Sequence, residues 1–232
     1  GLERGAKAVL GVLIACAAAG IIIGVVTKTG VGLRLASGLI DLAGGMLLPA
    51  MFFTMITAIV LGMGVPTTAN YVITSTIAAP ALVQMGVPIL AAHMFVFYFG
   101  IIADVTPPVA LAAYAGAGIS GGNALKTGVH ASKLAVAAFI IPYIFVLSPV
   151  ILMMDATPLT LILATLSALA GMIAVSSALC GFLADHCRPY ERLLLIIAGL
   201  LMIKPGGMTD LVGCAIFAAI LAMQYTRAKK AA

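Results

Sequence analysis

The 232-residue chain is 63% hydrophobic and 8% charged, whereas a soluble domain is about 45–50% apolar and about 25% charged, so no water-soluble fold of this length buries its apolar surface. Its 12 basic residues outnumber its 7 acidic ones. They fall in short loops and tails rather than on one face, which excludes a nucleic-acid surface and marks them as topology signals.

The composition therefore predicts an all-α integral membrane protein. Gly1-Leu2-Glu3-Arg4-Gly5 carries no signal-peptide pattern, and the chain reads as a piece of a longer polypeptide. A first span is expected over residues 7–26, ending at Thr27-Lys28-Thr29-Gly30. A long apolar stretch follows over about 35–84, divided at residues 62–66. Its halves read either as two full spans or as a re-entrant hairpin with its tip at the division. A third apolar region, about 89–119, exceeds the roughly 20 residues of one plain span, and Thr106-Pro107-Pro108 splits it into half-helices. Residues 120–133, with Ser120-Gly121-Gly122-Asn123, Lys126, His130 and Lys133, read as a loop. Further spans are expected over 134–154, 158–179, 192–203 and 208–225, the 192–203 run being short for a crossing.

Loop charge orients this topology. With 35–84 entering and leaving on one side, one face collects Arg4, Lys7, Lys126, Lys133, Arg188, Arg192, Arg227, Lys229 and Lys230. The other collects Lys28, Arg34 and Lys204, nine against three. The richer face is assigned to the cytoplasm. The bias fixes orientation and leaves hairpin and full spans both open.

Two breaks carry the functional signal. In Gly62-Met63-Gly64-Val65-Pro66-Thr67-Thr68-Ala69-Asn70, glycine permits a turn and close backbone approach, and proline suits a helix start. Thr67, Thr68 and Asn70 place oxygens and an amide beside exposed helix-start N–H groups. A helix start favours anions, and carbonyls freed before it can hold a cation. The plainer reading is a tight turn between ordinary helices. In Asp104-Val105-Thr106-Pro107-Pro108, two prolines remove backbone donors and free carbonyls one turn earlier. A carboxylate at membrane depth is a candidate for ion or proton coupling. The plainer reading has Asp104 and Thr106 cap the second half-helix. Irregular backbone at this depth is tolerated only inside protein or against a wet cavity.

Other residues carry weaker signals. Asp41 reads as an interfacial acid, His93 as a hydrogen-bonded core histidine with proton sensing as the alternative, and 188–192 as a solvated cytoplasmic turn. Cys16, Cys180, Cys187 and Cys214 read as buried free cysteines. His186 with Cys180 and Cys187 lacks metal-ligand spacing, and no metal centre is expected. An intramembrane aspartyl protease is disfavoured because position 65, where a catalytic aspartate is needed, is Val65. No enzyme activity is expected. A passive channel or membrane scaffold remains as a third class.

Residues 62–68, Ala79-Pro80, Gly86-Val87-Pro88, residues 104–111 and Ala115-Gly116-Ala117-Gly118-Ile119 resemble the large membrane (permease) subunit of TRAP transporters. Within that family they look most like the fused permeases that work with a TAXI-type substrate-binding protein. That resemblance implies a polytopic transporter core of two inverted repeats, each with a re-entrant hairpin and a discontinuous helix, moving as an elevator. Residues 1–154 would hold the second repeat and 155–232 the C-terminal transmembrane helices. It implies sodium-driven import of an organic anion, usually a carboxylate, across a bacterial or archaeal inner membrane. The implied partners are a periplasmic substrate-binding protein, a small membrane subunit or fused N-terminal helices, and the N-terminal half of the permease. Gly62, Gly64, Val65, Pro66, Thr67, Thr68, Asn70, Asp104, Thr106, Pro107 and Pro108 would form the ion and substrate site. Sodium, the coupling ion rather than a cofactor, would lie near Gly62, Gly64, Thr67 and Thr106. The chain departs from many relatives in having Val65-Pro66-Thr67 where they carry an acid, and Asp104 where they are neutral, which keeps proton coupling open.

Overall fold

The computed structural model describes residues 2–107, 110–203 and 207–231. They form helices throughout, with one isolated bridge between Phe182 and His186. Two compact units divide the chain, residues 1–131 and 132–232.

In the first unit, α1 (Leu2–Thr29) turns into α2 (Val31–Leu42) at Gly30, which adopts φ +67°. The bend between 20–26 and 31–42 is 71°. A second break at 43–46, not foreseen in the sequence, places Gly44 and Gly45 at positive φ and separates α2 from α3 (Leu47–Gly62). The next helices are α4 (Thr67–Ile77), α5 (Ala79–Gln84) and α6 (Ile89–Ile102). A 3-10 turn, Ala103–Val105, ends α6, and α7 (Leu111–Ser120) and α8 (Ala124–Leu134) follow. Helix α6 packs on α3, α4 and α5. Its buried face of Ala91, Ala92, Phe95, Val96, Phe99 and Gly100 explains why. The loop expected over 120–133 is corrected: Asn123 Oδ1 accepts from the Lys126 N–H (3.0 Å) and starts α8. Asparagine is among the best residues for that position.

The second unit holds α9 (Val136–Leu147), a 3-10 turn Pro149–Leu152, α10 (Pro158–Cys180), α11 (Pro189–Ile203) and α12 (Gly207–Ala231). Helix α10 begins with a reciprocal cap. Thr157 Oγ1 accepts from Thr160 N–H, and Thr160 Oγ1 accepts from Thr157 N–H. It ends at Gly181, φ +79°, whose N–H donates to Ser177 O. Small residues face inward on α10 (Ala168, Gly171, Ala174, Ala178) and large ones outward (Leu159, Ile162, Leu163, Leu166). Soluble helices show the reverse; lipid supplies no hydrophobic drive between helices, so small residues that let backbones approach are selected inside. Gly171 serves this purpose, since a Cβ there would stand 3.1 Å from Gly199 O on α11.

Ala124–Leu147, Pro158–Cys180 and Gly207–Arg227 are each long and apolar enough to cross a membrane. Two expectations fail here. The turn 188–192 is not simply solvated: Glu191 is fully buried, for reasons given below. Cys180 and Cys214 are free but exposed on their helices, and Cys187 is half-buried; the Cys16 side chain lies outside the described residues.

Candidate functional site at two adjoining helix breaks

Helix α3 ends at Gly62 because Gly64 turns the chain at φ +70° and Pro66 takes extended backbone at the N-cap of α4. No side chain caps α4; the first intrahelical bond runs from Asn70 N–H to Pro66 O (2.9 Å). The residues of this turn have different fates. Gly64, Pro66, Thr67 and Thr68 are exposed, and Val65 is half-buried against Ala69, Ile73 and Ile77. Gly62 and Asn70 are buried.

The second break forms where α6 tightens into the 3-10 turn carrying Asp104. Thr106 Oγ1 donates back to Ile102 O (2.8 Å), so it closes the end of the first half-helix instead of capping the second. Helix α7 starts after Ala110, a buried non-glycine residue at φ +35°. Left-handed backbone costs such a residue roughly 1–2 kcal/mol, and strain of this kind collects at functional sites. Asp104, Thr106 and Pro107 are half-buried; Pro108 lies outside the described residues. Helix α8 supports the break through Gly128, where a Cβ would meet Pro107 Cγ and Tyr114 Cε1 at 3.2 Å.

Asn70 brings the two breaks together. Its side chain fills the space that a Cβ on Gly62 or on Gly100 would need. From Gly62 such a Cβ would lie 2.8 Å from Asn70 Nδ2 and 2.8 Å from Gly100 O; from Gly100 it would lie 2.6 Å from Nδ2 and 2.8 Å from Oδ1. The end of α3, the start of α4 and the last turn of α6 therefore meet at one amide, four residues before Asp104. Asn70 Oδ1 is buried with no hydrogen-bond partner, which costs about 1–3 kcal/mol. Thr54 Oγ1, two turns earlier on the face of α3 that carries Ala58 and Gly62, is likewise buried and unpartnered. Asn70 Oδ1, an orphaned acceptor oxygen beside the C-terminal ends of α3 and α6, which carry partial negative charge, suits a small cation.

The sequence reading missed Gly100, Thr54 and Ala110. A single glycine within Phe97-Tyr98-Phe99-Gly100-Ile101 marks close backbone approach and signals the first. Nothing local signals Ala110. His93 on α6 and Tyr71 on α4 share a hydrogen bond, with Nδ1 and Oη 3.0 Å apart. Asp41 is exposed on α2.

Lipid-facing large residues, small residues inside and a core interrupted at two adjoining points define an all-α polytopic membrane protein. Residues 1–160 match the DctM component of the tripartite ATP-independent periplasmic transporters, and the chain belongs to that transporter family. No curated protein and no solved structure matches it.

Proposed function

We propose that this chain is the C-terminal part of a TRAP-type permease of the fused, TAXI-dependent kind, importing a carboxylate with sodium. The observation that carries the reading is the meeting of both breaks at Asn70, with its Oδ1 unsatisfied. Sodium would take that oxygen together with carbonyls near Gly62, Gly64 and the end of α6, and hydroxyls of Thr67 and Thr106. The helix starts after the breaks would face the substrate's negative charge. The exposed positions of Gly64, Thr67 and Thr68 suit a substrate-side mouth, while Gly62 and Asn70 form its floor. The partners are a periplasmic binding protein, a small membrane subunit or fused helices, and the N-terminal half of the permease, in a bacterial or archaeal inner membrane. An elevator-like movement of the hairpin core would carry the cargo.

The test is carboxylate uptake into proteoliposomes holding the complete permease with its binding protein, with and without an inward sodium gradient. Sodium-dependent accumulation that Asn70→Ala abolishes supports the reading. Proton coupling has its own footing in Asp104 on the break and in the Tyr71–His93 pair. Uptake that tracks pH, ignores sodium and is lost in Asp104→Asn would assign it.

A further inference from the structure

The second unit holds a polar site of its own. Ser148 sits between α9 and the 3-10 turn that follows, with backbone φ −138° and ψ 77°. It is 3% exposed, and its Oγ has no hydrogen-bond partner. It lines a cavity of about 10 Å³ together with Ser167, Met202 and Asp210. That volume holds about one water-sized sphere. One carboxylate oxygen of Asp210, Oδ1, is also buried and unpartnered. Ser167 Oγ donates its proton to Met202 O (3.1 Å), so its lone pairs remain as acceptors. The cavity lies against the last turn of α11, where helix carbonyls concentrate negative charge. Below it, Ile144, Ala168 and Ile203 form an apolar floor.

We infer that this cavity is a site for one small monovalent cation of sodium's class, held by Asp210, Ser148 and Ser167. The donor set is all oxygen, which hard cations prefer. Only one carboxylate contributes, and among the described residues no three His, Cys, Asp or Glu side chains come together, so the charge matches one unit and not two. Asp210 lies in the first turn of α12, at the end of a segment long and apolar enough to cross a membrane, where the helix start offsets only part of the carboxylate's charge. A water would fill the volume and leave that charge unbalanced; a cation does both. Two of the three ligands, Ser167 and Asp210, lie beyond residue 160, where the family match ends. Lys204, six residues before Asp210 and outside the described residues, is the competing source of positive charge.

The experiment is hydrogen–deuterium exchange on the detergent-purified full chain, in sodium chloride and in choline chloride at equal ionic strength. Peptides covering 144–152 and 207–216 report on this site, and peptides covering 60–72 report on the breaks. At a sodium concentration about ten times the dissociation constant, a ligand confined to the closed form lowers the open fraction about tenfold, and exchange slows accordingly. Sodium protection of 144–152 and 207–216 is expected in the wild type and in Lys204→Met, and its loss in Asp210→Asn. Ser148→Ala, the milder change, should shift the half-effect to higher sodium. Equal exchange in the two salts, or protection there that survives Asp210→Asn and Ser148→Ala together, would overturn the assignment. Sodium effects at 60–72 are read separately, so failure at one site leaves the other standing.

Discussion

A methyl group added at Gly100 tests whether Asn70 joins the two breaks. The new Cβ would fall 2.6 Å from Asn70 Nδ2, 2.8 Å from Oδ1 and 3.0 Å from Cγ, all well inside ordinary contact, which starts at 3.4 Å. The three nearest atoms all belong to one side chain. Overpacking of this kind costs about 1–3 kcal/mol. At about 2 kcal/mol, the apparent melting temperature falls by roughly 4–8 °C for a chain of this size. Removing the obstacle should relieve it: Gly100→Ala with Asn70→Ala should cost less than the sum of the single changes, by about 1–2 kcal/mol. Gly62→Ala behaves differently. Its Cβ would meet Asn70 Nδ2 at 2.8 Å but also the Gly100 carbonyl oxygen at 2.8 Å, and no side-chain deletion moves backbone. Asn70→Ala should therefore rescue Gly100→Ala much better than Gly62→Ala. The assay is the fraction of detergent-purified protein that stays monodisperse after heating, run as two double-mutant cycles. Strict additivity in the Gly100 cycle, or equal rescue in both, would show that Asn70 does not occupy the junction.

Gly128→Val should press α8 onto Pro107 and Tyr114, whose atoms stand 3.2 Å from a Cβ there; the expected result is reduced transport by the complete permease with a loss of about 1–3 kcal/mol, measured by uptake and heating side by side. Arg192→Ala removes donors from Nε to Ala178 O (2.6 Å) and from Nη2 to Leu179 O (3.1 Å), uncapping the end of α10 at a cost on the order of 1 kcal/mol because the side chain is exposed. The buried Glu191 gives a pH prediction. Burial pushes its carboxyl up, but the Arg188 N–H, the Arg227 and Gln224 side chains and the Arg227 charge outweigh that and hold it at about 2, below an ordinary 4.5. A depressed carboxyl contributes stability that is fully present above 4.5 and lost as pH falls toward 2. Glu191→Gln should flatten that part of the acid-denaturation curve, and an unchanged curve would remove Glu191 from the account.

The helix breaks were legible because glycine and proline act locally. Gly64 supplies the positive φ, and Pro66 cannot donate within a continuing helix, so α3 ends where the residues say it must. The contacts across the breaks were not legible. Asn70 looked like one more polar group beside Thr67 and Thr68, yet helical periodicity turns it inward and leaves them exposed. Its seat depends on Gly100, thirty residues away, and no single-sequence pattern couples the two. Glu191 misled for the opposite reason. Charged residues in a short turn normally remain in water, and the clue was remote: Gln224 inside an apolar span and Arg227 at its end. Residues 120–133 were misread because their glycines and charges suggested a loop, while Asn123 in fact starts a helix.

The two kinds of buried polar group in this protein call for different explanations. Around Glu191 the bonding is saturated. Gln224 Oε1 accepts from Ala184 and Asp185 N–H (3.2 Å each), its Nε2 donates to Glu191 Oε2 (2.9 Å), and Arg227 pairs with Glu191 and, at 3.8 Å, with Asp185. Such a network pins the 181–188 loop and leaves the Glu191 carboxylate and the Gln224 carbonyl no lone pair for a passing ion; a fully satisfied network makes a structure rigid. Asn70 Oδ1, Thr54 Oγ1, Ser148 Oγ and Asp210 Oδ1 have no partners. A carrier cannot satisfy its cargo site internally, because the cargo would then have to displace bonds as good as those it makes. The orphaned oxygens thus mark where binding energy is still to be gained. Sodium should therefore stabilise the peptides around 60–72 and 144–152 and leave exchange in 181–188 unchanged. Equal protection of all three would mean that the salt acts on the whole chain, and the distinction between saturated and orphaned groups would lose its functional meaning.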